Sequence, residues 1–240
     1  MEAGRVSALV VAVDGPSGSG KSSVSREAAR RLGLAYLDTG AMYRAATWWC
    51  LHTGVPLDDQ AAVARCVREL PLDQGVDPDA PHVVVAGTDI ADAIRETAIS
   101  AAVSAVATNL AVRDELRRRQ RAAIATQSVA TSFSHGRGIV AEGRDITTVV
   151  APDADVRILL TASQEARLAR RARDVHGSDD EAAVAATHDQ VLRRDADDST
   201  VAQFHVAADG VVTLDSSDLD FEETVEAVLA IVAQVTGRDA

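Results

Sequence analysis

The stretch Val6-Ser7-Ala8-Leu9-Val10-Val11-Ala12-Val13-Asp14, followed at once by Gly15-Pro16-Ser17-Gly18-Ser19-Gly20-Lys21-Ser22-Ser23, decides the fold. Nine residues, seven of them apolar and the last an acid, read as a strand buried on both faces, the mark of a parallel sheet. Gly15 to Ser22 then satisfies G-x-x-x-x-G-K-[ST] at every fixed position. The glycines let the chain curl so that successive N–H groups converge on phosphate oxygens. The helix that starts near Ser22 adds its positive N-terminal end. Lys21 is placed to reach the β- and γ-phosphates, and the Ser22 hydroxyl to ligate Mg²⁺. This stretch therefore specifies a nucleoside triphosphate site. The alternative, a chance Gly/Ser-rich turn, explains neither the flanking strand and helix nor the next observation: Lys21 is the only lysine among 24 basic residues. Every other cation is a broad, planar guanidinium, which suggests a position that admits only a slim point charge.

Composition sets the outer limits. With 240 residues, 47% of them hydrophobic, the chain can bury one α/β core and carry a smaller inserted lobe. A net charge of -12 argues against a general DNA or RNA binder, while allowing one anionic nucleotide to bind a local cluster of arginines. The basic run Arg113 to Arg121 reads as a solvated helix face. Cys50 and Cys66 have no metal-type spacing and are expected as two reduced thiols. The run Val6 to Val13 lacks a cleavage site, and no stretch approaches the ~20 apolar residues of a membrane span. A soluble, cytoplasmic protein is expected.

Outward from the first strand, helix and strand signals alternate. Ser22 to Leu32 is expected as a helix closed by Gly33, Leu34 to Asp38 as a short strand, and Ala41 to Thr53 and Asp59 to Leu70 as helices. Pro71 to Ile90 changes character and predicts two or three short antiparallel strands. Helices follow over Ala98 to Ala107 and Val112 to Thr126, then strands over Gly138 to Glu142 and Val156 to Thr161. Two charged helices, Ser163 to Val175 and Asp180 to Asp195, precede a last strand, Val211 to Asp215. A closing helix from Asp220 to Thr236 begins with an Asp220/Glu223 capping box. The alternation predicts a parallel sheet with helices on both faces.

Two further groups bear on an acceptor. Asp38-Thr39-Gly40-Ala41-Met42-Tyr43-Arg44 sets a hydroxyl at a helix start with a phenol and a guanidinium one turn on, a suitable cradle for a phosphate monoester. Glu142-Gly143-Arg144-Asp145 follows a core strand directly, where parallel sheets bind ligands. Taken singly, Arg44 reads as a solvated arginine and the second cluster as a turn with an ion pair. Taken together with the phosphate loop, with VRDELRRRQR from Val112 and with RRDADDST from Arg193, the sequence closely resembles the bacterial cytidylate kinases of the nucleoside monophosphate kinase group. The resemblance runs from about Val10 to the C-terminal helix.

That resemblance implies a single domain: a three-layer α/β/α CORE (about 6–38, 138–165 and 196–240) with a five-stranded parallel sheet, an acceptor-binding insertion (about 39–127) and a LID (about 167–195). It implies an ATP-dependent kinase acting on CMP and dCMP with Mg²⁺, and a monomer. Thr39, Tyr43, Arg44 and Arg144 would hold the acceptor phosphate, and Gly143 would also contact the substrate. Ser104, Arg113 and Asp145 would read the cytosine edge. Arg194 and Asp198 would lie near the sugar and transferring phosphates, and Arg167, Arg170 and Arg171 would reach ATP from the LID.

Two departures stand out. Val201 follows Asp198-Ser199-Thr200 where the family pattern carries an arginine, and Thr147 stands where glycine is common. An N-K-x-D guanine element is excluded, because the only Asn is Asn109, followed by Leu110. Two other readings remain at this stage. One is a sister kinase for UMP, AMP or shikimate. The other is a regulator that binds a nucleotide without turnover.

Overall fold

The computed structural model describes residues 8–237, so Val6 and Ser7 of the expected first strand lie outside the described residues. Five parallel strands form the main sheet: β1 (Leu9–Asp14), β2 (Ala35–Asp38), β6 (Gly138–Gly143), β7 (Val156–Thr161) and β8 (Val212–Asp215). Their order is β2-β6-β1-β7-β8. The chain leaves central β1 toward one edge and later returns to its other side through β7. The crevice at the carboxyl end of β1 is thus the switch point at which open α/β sheets bind ligands.

Alternation along each strand sorts the core into two faces. Ala12, Ala35, Leu37, Ile139 and Ala141 meet α2 (Thr39–His52) and α5 (Leu110–Thr126) on one side. Val11, Val13, Val140, Ile158 and Leu160 meet α1 (Lys21–Leu32) and α8 (Phe221–Thr236) on the other. Small alanines on the first face let its helices approach closely. The expected capping box forms at α8, where Asp220 accepts from the Glu223 N–H and the Glu223 carboxylate accepts from the Asp220 N–H.

The insertion carries α2, α3 (Gln60–Arg68), α4 (Thr97–Ala107) and α5, with a separate antiparallel sheet of β3 (Leu72–Gln74), β4 (Val83–Val85) and β5 (Thr88–Asp89). Helices α6 (Gln164–His176) and α7 (Glu181–Ser199) form the remaining projection. α7 runs one turn beyond the expected stop at Asp195. Acids in a last helical turn oppose the helix dipole. Here Asp195 and Asp198 instead receive Arg144 at 3.0 and 3.1 Å, and this tertiary pairing carries the helix to Ser199. α7 also packs on α4, so the projection lies over the insertion and roofs the crevice. Among the described residues no helix is long and apolar enough to cross a membrane.

Candidate active site

The loop from Gly15 to Gly20 leaves β1 and delivers α1 with no side-chain cap, so the first N–H groups of that helix are free for an anion. Gly18 is left-handed (φ +76°), and a Cβ there would sit 2.4 Å from the Arg167 carbonyl oxygen, so only glycine fits. Gly143 is similarly confined, because its Cβ would meet Thr39 Oγ1 at 2.4 Å. That hydroxyl donates to the Glu142 carbonyl at 2.7 Å, locking the start of α2 against the end of β6.

A cavity of about 160 Å³ opens over this loop. Its wall brings together Ser17, Gly18, Gly20, Lys21, Ser22 and Ser23 with Thr39, Tyr43, Arg44, Arg113, Gly143, Arg144, Asp145, Arg171, Arg194 and Asp198. Residues from six separated sequence segments thus share one space. The remaining predicted site residues lie elsewhere. Gly15 and Pro16 shape the loop from behind, and the Pro16 carbonyl accepts from Lys21 Nζ at 3.3 Å. Ser104 is not on the wall, where α4 presents Val103 and Ala107 instead. Arg167 is buried behind the loop, donating to the Ser17 carbonyl at 3.0 Å and pairing with Asp195. Arg170 faces a second groove beyond the loop, with Ser19, Gly20 and Phe221. It donates there to the Ser216 and Leu219 carbonyls at 2.6 and 3.1 Å.

The electrostatics of the wall differ from those of the chain. Six basic and four acidic side chains line the cavity of a protein whose net charge is -12. Lys21, partly desolvated on the cavity wall and facing Arg144, is pulled down to about 8. Arg194 is pulled down to about 10 by burial and by Arg144 and Arg44. Tyr43 Oη, Arg44 Nε, Arg113 Nε and Arg194 Nε are buried without hydrogen-bond partners. Buried polar atoms rarely stay unpaired, so this crowd of cations is built around an anion.

Sequence reasoning missed four participants. Asp38 and Glu142 are far apart in the chain but are register partners on β2 and β6. Asp38 caps α2 at the Ala41 N–H and pairs with Arg44 at 2.9 Å. Burial raises the Asp38 carboxyl, but Arg44 and that N–H outweigh it and hold it below its ordinary value. Glu142 is pushed up to about 7 by burial and by Asp38, and accepts from Ser22 Oγ at 2.6 Å. Asp195 accepts from the Ser17 N–H at 3.1 Å and from Arg167, and forms an ion pair with Arg144, tying α7 to the phosphate loop. Arg117, one turn after Arg113, donates to Asp145. The only sequence signal for Asp38, Glu142 and Asp195 was their place inside the quoted motifs.

The chemistry fits a nucleotide phosphate bound at a loop-and-helix anion site, facing a second group of hydroxyl and guanidinium side chains from α2 and the end of β6. Fold and site together define a phosphoryl transferase of the P-loop kinase class. Residues 11–234 match the cytidylate kinase family. The chain is 45% identical over 230 residues to a cytidylate kinase of Streptomyces avermitilis, covering 95% of this chain and 94% of that protein. It is 50% identical to one of Nocardia farcinica, covering 94% of each. With one of Rhodococcus opacus it shares 48% identity, covering 96% and 97%. The chain belongs to the cytidylate kinase family.

Proposed function

We propose that this chain moves the γ-phosphate of ATP to CMP or dCMP, releasing ADP and the diphosphate. The observation that carries this reading is the single roofed cavity in which the phosphate loop faces Thr39, Tyr43, Arg44 and Arg144.

Phosphoryl transfer leaves little covalent work to the protein, so rate comes from positioning and from cations around spreading charge. In this reading Lys21 and the α1 N-terminus hold the donor phosphates. Arg44 and Arg144 hold the acceptor phosphate. No general base is needed, because the acceptor oxygen is already anionic. Arg194 and Asp198, which approach each other at 3.8 Å on one face of α7, sit beside the transferring group and the sugar. α7 resting on α4 keeps water away, favouring transfer over hydrolysis. Arg167 and Arg170 brace the loop from outside the cavity, and Arg171 is the LID arginine on its wall.

Mg²⁺ fits the residues present. Ser22 Oγ, Glu142 and Asp38 form a hard oxygen set beside the phosphate loop, with Ser22 Oγ and Glu142 already in contact at 2.6 Å. Ser22 would hold the ion directly, with Glu142 and Asp38 within its shell. The chemistry the ion would supply there is neutralisation of the charge on the donor phosphates.

At the base end, Arg113 can donate to O2 and N3 of cytosine, and Asp145 can accept from its amino group. Uracil offers a carbonyl to the same carboxylate and binds worse. A monomer working in the cytoplasm completes the reading. The test is ADP release from ATP and Mg²⁺ with CMP, dCMP, UMP, AMP or shikimate as acceptor. Strong turnover with CMP and dCMP and weak turnover with UMP is expected. ADP release that ignores every acceptor would leave only a nucleotidase or a sensor.

A further inference from the structure

Arg117 occupies a position that a solvated arginine would not choose. It follows Arg113 by four residues on α5, so both guanidinium groups point to the same side of the helix. Its neighbours Arg118 and Arg119 settle on Glu115, a local partner at 2.7 and 2.6 Å. Arg117 has such a partner in Asp114, but at 3.8 Å and with that carboxylate 80% exposed. Instead it turns inward to Asp145, a residue 4% exposed.

The contact is lopsided. Arg117 Nε and Nη2 chelate Asp145 Oδ2 at 3.1 and 2.8 Å, and Arg113 Nη2 adds a third donor to the same atom at 2.8 Å. A carboxylate oxygen offers two lone pairs, so three N–H groups saturate Oδ2. None of these donations falls on Oδ1. The terminal torsion of an aspartate is broad and two-fold, so an unanchored carboxylate would swivel.

We propose that Arg117 is a positioning residue for base selection, pinning Asp145 so that Oδ1 alone is presented to the acceptor base. The proposal rests on the cytidine reading above. A fixed Oδ1 accepts an exocyclic amine and opposes a carbonyl. Arg113 also gains from the arrangement. Sharing Asp145 with Arg117, and anchored on the Ala107 carbonyl at 3.0 Å, it is held at the base end with its Nε unpaired. Arg117 itself is not on the cavity wall and acts through Asp145.

The experiment compares the intact enzyme with R117L and R117K, reading kcat and KM for CMP and UMP, KM for ATP, and the melting temperature. Leucine keeps helix propensity and bulk, while lysine keeps charge without the fork. R117L should lower the CMP-over-UMP preference about tenfold, mainly through the KM for CMP, with the KM for ATP unmoved. R117K should fall between. An unchanged preference in R117L, or parallel losses toward CMP and ATP, would overturn the proposal. If R117L does not fold, R117K decides, and wild-type discrimination there is the contrary result. If the unmodified enzyme itself does not prefer CMP, the cytidine reading fails first, a result distinct from either.

Discussion

Lys21 shows how one residue carries both a sequence signal and a measurable property. Its solitary status among arginines matches its place on a wall crowded by Arg44, Arg144 and Arg194. With its ordinary value at 10.5 and the folded one at about 8, the partly buried group sheds its proton early. Between those values the unfolded chain binds the proton and the folded chain does not, so this group makes stability rise with pH across that window. Triphosphate supplies the missing negative charge and restores the proton. Calorimetry of ATP binding at pH 8.5, in buffers of different ionisation enthalpy, should therefore show proton uptake, with affinity falling as pH rises through 8. No uptake would mean that Lys21 does not meet the phosphates. Thr147 is the opposite case, a departure that the sequence leaves unexplained and the structure resolves. Its hydroxyl donates to buried Asp14 Oδ2 at 2.6 Å, beside N–H donations from Ile146 and Thr147 at 2.8 Å. These bonds hang the Arg144–Asp145 loop on the end of β1. T147V should cost about 1–2 kcal/mol of stability and raise the KM for CMP, whereas T147S should restore both. Equal stability in all three proteins would contradict this role.

At the scale of elements, legibility followed the range of the physics. Caps, glycine turns and strand alternation are local, so all five main-sheet strands and α8 could be read within a few residues of where they form. The neighbouring of Asp38 and Glu142 depends on β2–β6 register, and no local pattern reports it. The length of α7 was misjudged for the same reason: the acids that argue against its last turn are paired to Arg144 from another segment. Ser104 and Arg170 were read from position in a motif, which does not say which way a helical side chain turns. Asp195 is the residue through which α7 holds the phosphate loop. D195A would leave Arg167 without its carboxylate and Arg144 with Asp198 alone. Breaking such a pair should cost about 3–5 kcal/mol and lower the denaturant midpoint, with KM rising for both nucleotides. A midpoint within error of the wild type would show that the α7–loop tie contributes nothing.

For the whole molecule, the contrast is between an acidic body and a cationic cavity. Twelve excess negative charges repel a polyanion such as RNA, while a small nucleotide passes into a space where cations outnumber acids by two. Exposed charges are screened by salt far more than those of the roofed cavity. Everything above requires donor and acceptor phosphates to meet in that cavity. The most direct test is a bisubstrate analogue in which adenosine and cytidine are joined through five phosphates. It should inhibit competitively against both ATP and CMP and bind far more tightly than either, because one molecule fills both halves and loses its translational freedom only once. Inhibition competitive with ATP alone, at an affinity no better than that of ATP, would place the acceptor elsewhere and contradict the account.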